Sequence, residues 1–271
     1  METISSNRPK IVVIGSCNTD MVVKANRLPV PGETILGGTF YMNPGGKGAN
    51  QAIAAARLGA EVTFISKIGY DLFGLQALEI YRSEKINTEF IFTDQKSPSG
   101  VALISVDSFG ENSIIVAPGA SRSLSTEDIN KAEEKIKEAD IILMQLEVPI
   151  DTVEYAATIA NRYGKKIILN PAPASTLSNS FLNNVHTILP NRIEAEMLSG
   201  IKVMDIESAH RAAKAIGEKG AGDVFCGAFS VYLSQGHSLA ESVKFANAAA
   251  AIAVTRIGAQ SAIPYKREVN L

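Results

Sequence analysis

The chain has 271 residues, of which 46% are hydrophobic, and its formal net charge is −2. A chain of this length can bury a large core, so it fits one large α/β domain or one domain with a modest addition. The 26 basic residues are outnumbered by 28 acidic ones. The chain therefore has no net positive charge that would attract nucleic acid or an anionic membrane. We therefore expect a small molecule as the partner.

The chain contains few cysteines and histidines. The two cysteines, Cys17 and Cys226, are too few for a disulfide framework, and neither they nor the three histidines have the spacing of a metal site. The polar N-terminus lacks the apolar stretch of a secretory signal, and the longest apolar run, Ala248–Val254, is too short to span a bilayer. We expect a cytoplasmic protein without a membrane segment.

Short apolar runs alternate with amphipathic helical patterns along the chain. Residues 11–16, 62–69, 141–147, 166–173 and 187–191 are predicted to be strands, mostly buried on both faces. Two intervening helices begin with the spacing of a capping box, at Ser125 with Asp128 and at Asp151 with Glu154. Regular alternation of strand and helix predicts a three-layer, doubly wound, mostly parallel α/β sheet, with residues 1–271 in a single domain.

Two regions lack helical periodicity. Residues 17–46 and 99–120 contain turn residues between extended segments, which predicts a small separate β-sheet. In open α/β folds, ligands bind beyond the carboxyl ends of the strands, so a sheet near that edge would form a lid.

The alternation also breaks near the C-terminus. Residues 207–220 have a helical pattern and a second helical pattern starts at Asp223, although a strand is expected between them. We expect that a segment of the natural protein is absent from this sequence between Gly220 and Ala221. A true deletion is the alternative.

Two glycine-containing segments are candidates for ligand binding. In GGKGAN (45–50), a Walker loop is rejected because Tyr41 and Gly48 stand where that loop needs a glycine and a hydroxyl. Asn50 lies one helical turn beyond Lys47 and can point at the same ligand, although a tight turn with a solvated lysine is an open alternative.

The segment GSCNTD (15–20) follows the first strand but lacks the second glycine of a dinucleotide fingerprint. Asn18 and Asp20 project from one face of an extended chain and suit the adjacent hydroxyls of a polyol. The alternative is a turn-forming pair.

Polar residues also stand at predicted strand ends and before the last helical patterns. Glu147 closes one strand and Asn191 another, with Glu194 one turn later; Glu194 could equally be an acid that complements a helix dipole. Asp223 follows GAG (220–222). It could be a helix cap worth about 0.5 to 2 kcal/mol, or the amides of Ala221, Gly222 and Asp223 could bind a phosphoryl group beside a proton-accepting carboxylate.

Together these segments resemble the ribokinase/PfkB family of carbohydrate kinases. The resemblance runs nearly end to end, through GSCNTD, GGKGANQA, QLE, NRIEAE, AGDVFCGAF and NAAAAIAVTRIGAQ. It implies a β-sheet lid that also forms a homodimer contact, and phosphorylation of the 5-hydroxyl of D-ribose by ATP with Mg²⁺ and K⁺. It further implies a strand and a nucleotide loop where Gly220 meets Ala221.

The resemblance also implies roles for individual residues. The sugar would be held by Asn18, Asp20, Gly46, Lys47, Asn50 and Glu147. Asp223 would be the catalytic base, with the Gly220, Ala221 and Gly222 amides at the transferring group. Asn191 and Glu194 would organise Mg²⁺ and its waters, Asn247 would lie near the adenine, and Gly258 and Ser261 would belong to a potassium loop.

Several alternatives stay open at this point. Deoxyribose, fructose or a nucleoside could replace ribose within the same family. Phosphorylated sugars are disfavoured because the proposed sugar residues include one cation, Lys47, and no arginine cluster. If the nucleotide segment is truly deleted, the chain would be a sugar-binding protein without catalysis. An unrelated Rossmann-type protein is disfavoured by the missing fingerprint.

Overall fold

The computed structural model describes residues 8–205, 207–208, 211, 223–256 and 259–269. Its strands in chain order are β1 Lys10–Ile14, β2 Asn18–Lys24, β3 Thr39–Gly45, β4 Glu61–Gly69, β5 Ile91–Asp94, β6 Gly100–Val106, β7 Asn112–Ala117, β8 Ile141–Met144, β9 Lys166–Leu169 and β10 Thr187–Ile188. Six of them form a sheet in the order β10-β9-β8-β1-β4-β5, and every neighbouring pair is parallel. This main sheet confirms the predicted parallel architecture.

Helices cover both faces of the main sheet. They are α1 Lys47–Arg57, α2 Leu72–Ser83, α3 Thr126–Lys131, α4 Glu133–Glu138, α5 Ile150–Arg162, α6 Asn179–Leu182, α7 Arg192–Ser199, α8 Asp223–Ser234 and α9 Leu239–Ala253. Ile11 and Val13 of β1 pack in a core with α1, α8 and α9, whereas Val12 and Ile14 pack in a second core with α3, α4 and α5. Alternate residues of one strand therefore face opposite helix layers, as the period of two requires.

The central strand β1 marks the point where the sheet order reverses. The chain places β4 on one side of β1 and β8 on the other, which makes the crevice beyond the carboxyl end of β1 the expected ligand site. The predicted strands 11–16, 141–147, 166–173 and 187–191 were too long, because the ladders stop at Ile14, Met144, Leu169 and Ile188. The residues that follow bond to other elements instead.

Four strands form the second, smaller sheet, in the order β3-β2-β6-β7, which we call the lid sheet. Its β2–β3 and β6–β7 pairs are antiparallel and its β2–β6 pair is parallel. The register sets Asp20 opposite Ala102 and Met21 opposite Leu103. Each strand of the lid sheet therefore presents alternate residues to two different faces.

The two predicted capping boxes differ in outcome. Ser125 and Asp128 form a reciprocal capping box at the start of α3, as predicted. The second prediction was wrong: α5 begins at Ile150 after Pro149, with no side-chain cap, so Asp151 already lies inside the helix. Among the described residues, no helix combines the length and apolar character needed to cross a membrane. The junction between Gly220 and Ala221 lies outside the described residues.

Candidate active site

A pocket of about 470 Å³ lies between the lid sheet and the carboxyl edge of the main sheet. It is lined by the predicted polar residues Asn18, Asp20, Gly46, Lys47, Asn50, Glu147, Asn191, Glu194 and Asp223. Ala102, Ile104, Ile114 and Val116 of the lid sheet line it as well. The structure thus brings residues from distant parts of the chain into one cavity with a polar floor and an apolar cover.

Glycines let the first turn of α1 reach the loop that follows β1. Gly46 has a φ of 90°, a conformation that side chains rarely adopt. A Cβ atom on Gly48 would lie 2.6 Å from the backbone of Gly15 and Ser16. The two backbones therefore touch directly, and this contact places Lys47 at the edge of the pocket.

Glu147 joins three parts of the site. Its Oε2 accepts a hydrogen bond from Ser16 Oγ at 2.5 Å and another from the Lys47 backbone N–H at 3.0 Å. The second bond satisfies an amide at the start of α1, where a negative charge also complements the helix dipole. Glu147 Oε1 lies 4.0 Å from Lys47 Nζ. One carboxylate oxygen is therefore structural, and the other is available to a ligand.

Asp223 is the first residue of α8 and lies against α1. Its Oδ1 accepts a hydrogen bond from Gln51 Nε2 at 2.8 Å, and its Oδ2 accepts one from Asn50 Nδ2 at 3.3 Å. Gly227 permits this approach, since a Cβ atom there would lie 2.6 Å from the Ala54 Cβ. The close packing of the two helices sets the position of the carboxylate.

Acidic groups surround a single positive charge. Burial raises the pKa of Asp20 to about 6, and the nearby Glu147 and Asp223 carboxylates raise it as well. Burial alone would lower the pKa of Lys47, but Asp223 and Glu147 outweigh it and raise that pKa. Among the described residues that line the pocket, Lys47 is the one cation. An uncharged ligand with many hydroxyl groups suits this pocket better than a phosphorylated one.

The pKa of Asp223 is also raised, and burial is the main cause. The Lys47 charge and the hydrogen bonds from Gln51 and Asn50 act in the opposite direction. Because burial outweighs these effects, Asp223 holds a proton more readily than an exposed aspartate.

Asn191 and Glu194 form a reciprocal capping box at the start of α7. Glu194 Oε2 and Oε1 accept from the Asn191 N–H and Nδ2, both at 2.8 Å, and Asn191 Oδ1 accepts from the Glu194 N–H at 2.9 Å. Each carboxylate oxygen thus keeps a lone pair free for a water molecule. The described residues contain no group of three or more His, Cys, Asp or Glu side chains able to hold a metal. The free lone pairs of Glu194 can therefore accept hydrogen bonds from water molecules in the pocket.

Some predicted site residues do not join this pocket. Asn247 is exposed on α9 and Ser261 is exposed in a 3₁₀ turn at Gln260–Ala262, and neither lines the cavity. Gly220, Ala221, Gly222 and Gly258 lie outside the described residues.

Sequence reasoning did not identify four polar residues that support the site, namely Ser16, Gln51, Gln145 and Asn170. All four are buried. A signal was present, because Gln145 and Asn170 directly follow apolar strand runs and Gln51 interrupts an apolar helix face. A polar residue buried in an apolar pattern needs a hydrogen-bond partner. Here Ser16 bonds Glu147 and Gln51 bonds Asp223, while Gln145 and Asn170 bond Gln51.

Comparisons with known proteins identify the family of this chain. A family model described as pfkB family carbohydrate kinase matches residues 8–220 and 218–266. The chain is 40% identical to a ribokinase of Haemophilus influenzae over 297 aligned positions, which cover 96% of this chain and 97% of that protein. It is 34% identical to a deoxyribokinase of Salmonella typhi, with 96% and 97% covered. The structure of Arabidopsis thaliana ribokinase complexed with ribose and ATP matches with a TM-score of 0.85 and 29% identity, covering 97% of this chain and 98% of that one.

Proposed function

The chain belongs to the pfkB family of carbohydrate kinases, and we propose that it transfers the γ-phosphoryl group of ATP to the 5-hydroxyl of D-ribose. The observation that carries this proposal is the convergence of hydroxyl-binding side chains with Asp223 in one pocket. The ribokinase relative and the Arabidopsis complex with ribose and ATP support the choice of both substrates.

The sugar would lie on the polar floor of the pocket beneath the lid sheet. Asn18, Asp20, Asn50 and the free oxygen of Glu147 can each pair with a ring hydroxyl, and the Gly46 backbone and Lys47 complete the set. The apolar lid residues would exclude water from the reacting groups.

Asp223 would accept the proton of the 5-hydroxyl as that oxygen attacks the phosphoryl group. In a loose phosphoryl-transfer transition state the proton leaves late, so correct placement matters more than strong basicity. The amides at Gly220–Gly222 and the start of α8 would stabilise the transferring charge. Mg²⁺ held through water by Glu194, with Asn191, would neutralise charge on the phosphates.

Two further assignments complete the proposed nucleotide side of the site. Asn247 would lie near the adenine, and Gly258 with Ser261 would form part of a potassium loop. They rest on the resemblance of residues 218–266 to the family. Because the donor is ATP, we also propose a cytoplasmic location, which cell fractionation tests.

ADP release separates the candidate substrates. With ATP and Mg²⁺, D-ribose should give the highest kcat/KM, because each pocket hydroxyl partner left unpaired costs about 1 to 3 kcal/mol. 2-Deoxyribose is the second candidate, favoured by the deoxyribokinase relative, and hexoses should react more slowly. Equal rates with all sugars would remove the ribose assignment.

Replacing sodium by potassium in the same ADP-release assay should raise the rate, because Gly258 and Ser261 are proposed to belong to a potassium loop. An unchanged rate would contradict that assignment.

We also propose that the natural protein has an additional segment between Gly220 and Ala221. The family model matches in two pieces, 8–220 and 218–266, which meet at this junction. The alignment with the Haemophilus relative has 297 positions, more than the 271 residues of this chain. A true deletion would remove much of the proposed adenosine site and leave a sugar-binding protein.

The outer face of the lid sheet supports the proposal of a homodimer. The register aligns apolar residues on the face that points away from the pocket, namely Met21, Val23, Phe40, Met42, Leu103 and Ile115. Phe40 is 58% exposed and Ile115 is 68% exposed. A contiguous apolar sheet face of this kind is typical of an interface, and a second copy of the same sheet would cover it.

Native mass spectrometry tests the segment and the dimer together. We expect a chain several kilodaltons heavier than the 28.8 kDa calculated for this sequence, assembled in pairs. A charge at Ile115 should dissociate the pair because it would be buried unpaired. Ile115→Asp should therefore be monomeric, whereas Val254→Asp, at an apolar position that is 84% exposed outside the lid sheet, should remain a dimer. A chain of 28.8 kDa would support a true deletion, and a monomeric natural protein would contradict the lid contact.

A further inference from the structure

Gln51 connects Asp223 to the interior of the protein. Its side chain is fully buried on α1, and its Nε2 donates to Asp223 Oδ1 at 2.8 Å and to Asn170 Oδ1 at 3.1 Å. Its Oε1 accepts from Gln145 Nε2 at 2.6 Å. Both amide hydrogens of Gln51 therefore have acceptors, and its oxygen has a donor.

The two partners of Gln51 are anchored at the ends of neighbouring strands. Gln145 directly follows β8 and Asn170 directly follows β9, and both are buried. Asn170 Nδ2 donates to the Leu189 carbonyl beyond β10 at 2.9 Å. If the Gln51 amide were reversed, its oxygen would face the acceptor oxygens of both Asp223 and Asn170. Asn170, held by the Leu189 carbonyl, thus fixes which side of Gln51 meets Asp223.

The two oxygens of Asp223 are consequently unequal. Oδ1 is bound by Gln51, which does not line the pocket. Among the described residues, Oδ2 accepts only the longer 3.3 Å hydrogen bond from Asn50, which does line it. A carboxylate held at one oxygen cannot rotate freely about its last bond. The same oxygen is therefore presented to the pocket at every turnover.

We propose that Gln51, supported by Gln145 and Asn170, is the positioning residue that selects Oδ2 of Asp223 as the proton acceptor. This inference rests on the proposed kinase function, because it assigns a proton to an atom of the same site. Gln51 acts through Asp223 and does not touch the sugar. Its contribution is to hold the acceptor oxygen in line with the reacting hydroxyl, where small displacements reduce the rate strongly.

The network also affects the proton affinity of Asp223. The titratable groups around this carboxylate are Lys47 on α1, Glu147 after β8, Asp20 on the lid sheet, Glu194 on α7 and Cys226 on α8. Hydrogen bonds to the ionised form lower a carboxyl pKa, and the bond from Gln51 is one of them. Without that donor the pKa of Asp223 should rise, and Asp223 should lose its proton only at higher pH.

Gln51→Met tests the proposal, because methionine has a similar shape and no amide. In the full-length protein, kcat for ribose should fall about 10-fold while KM stays within about 3-fold. The acid limb of the pH profile of kcat/KM should move to higher pH. Ser230→Ala is the matched control, since this buried hydroxyl on α8 bonds, within the part of the chain that the structure describes, the Cys226 carbonyl alone; it should change neither quantity. An unchanged kcat and pH profile in Gln51→Met would overturn the proposal.

Nuclear magnetic resonance supplies a readout that requires neither turnover nor a Gln51 variant. In the natural protein, the Gln51 side-chain amide protons should shift with the same midpoint as the Asp223 carboxyl carbon, and this shift should vanish in Asp223→Asn. If the chemical shifts of the Gln51 amide protons do not change as Asp223 titrates, the proposal is overturned, even if Gln51→Met does not fold. If the natural protein fails to phosphorylate ribose, the proposed function fails, while this titration still decides whether Gln51 is bonded to Asp223.

Discussion

Replacing Asp223 by asparagine should lower kcat for D-ribose by about 10²- to 10⁴-fold and leave ribose affinity within a few fold. Asparagine has the same shape, and its oxygen can still accept the hydrogen bond that Gln51 donates to Oδ1. Its NH₂ group would replace Oδ2 and cannot accept the hydroxyl proton. Steady-state kinetics and calorimetric titration with ribose measure the two quantities separately.

Asp151→Asn is the matched control for this substitution. Asp151 is also an acid in the first turn of a helix, but it is exposed on α5 and does not line the pocket. It should retain full turnover. If Asp223→Asn also retained full turnover, Asp223 would serve only the start of α8, and the proposed mechanism would be wrong.

Gly227→Ala should destabilise the protein and reduce kcat about 10²-fold, even though residue 227 does not contact the sugar. Alanine is usually better than glycine inside a helix by about 0.5 to 1 kcal/mol. Here its Cβ would lie 2.6 Å from the Ala54 Cβ and 3.0 Å from the Gln51 carbonyl oxygen. Overpacking of this kind costs about 1 to 3 kcal/mol, so α8 should move away from α1 and take Asp223 with it.

The double variant Gly227→Ala/Ala54→Gly moves one methyl group from α1 to α8 and relieves the closest of these contacts. It should recover a large part of both the free energy of unfolding and kcat, measured by urea unfolding and by ADP release. Wild-type values in the single Gly227→Ala variant would show that the helices do not need this close approach.

Much of the fold follows from local patterns in the sequence. The short apolar runs of the strands and the helical period between them predict the layers, and the segments without helical periodicity predict the lid sheet. The ends of elements were less predictable, because tertiary contacts set them. The chain leaves β8 after Met144, and Glu147 bonds the first amide of α1. Pro149 likewise starts α5 two residues before the predicted cap.

Parts of the site were predictable because the residues involved are close together in the sequence. Asn18 and Asp20 are two residues apart on an extended segment, and the structure places both on β2 facing the same pocket. Gln51 and Asp223 are 172 residues apart in sequence, so no local pattern reveals their hydrogen bond. Such contacts depend on the close packing of α1 and α8, which only the folded chain provides.

A crystal structure of the natural protein with D-ribose and a non-hydrolysable ATP analogue tests the central claim most directly. We predict that Asp223 Oδ2 lies within about 3.2 Å of the ribose 5-hydroxyl oxygen, in line with the terminal phosphate. Oδ1 should remain bonded to Gln51. A complex in which the Asp223 carboxylate contacts no sugar oxygen would contradict the account.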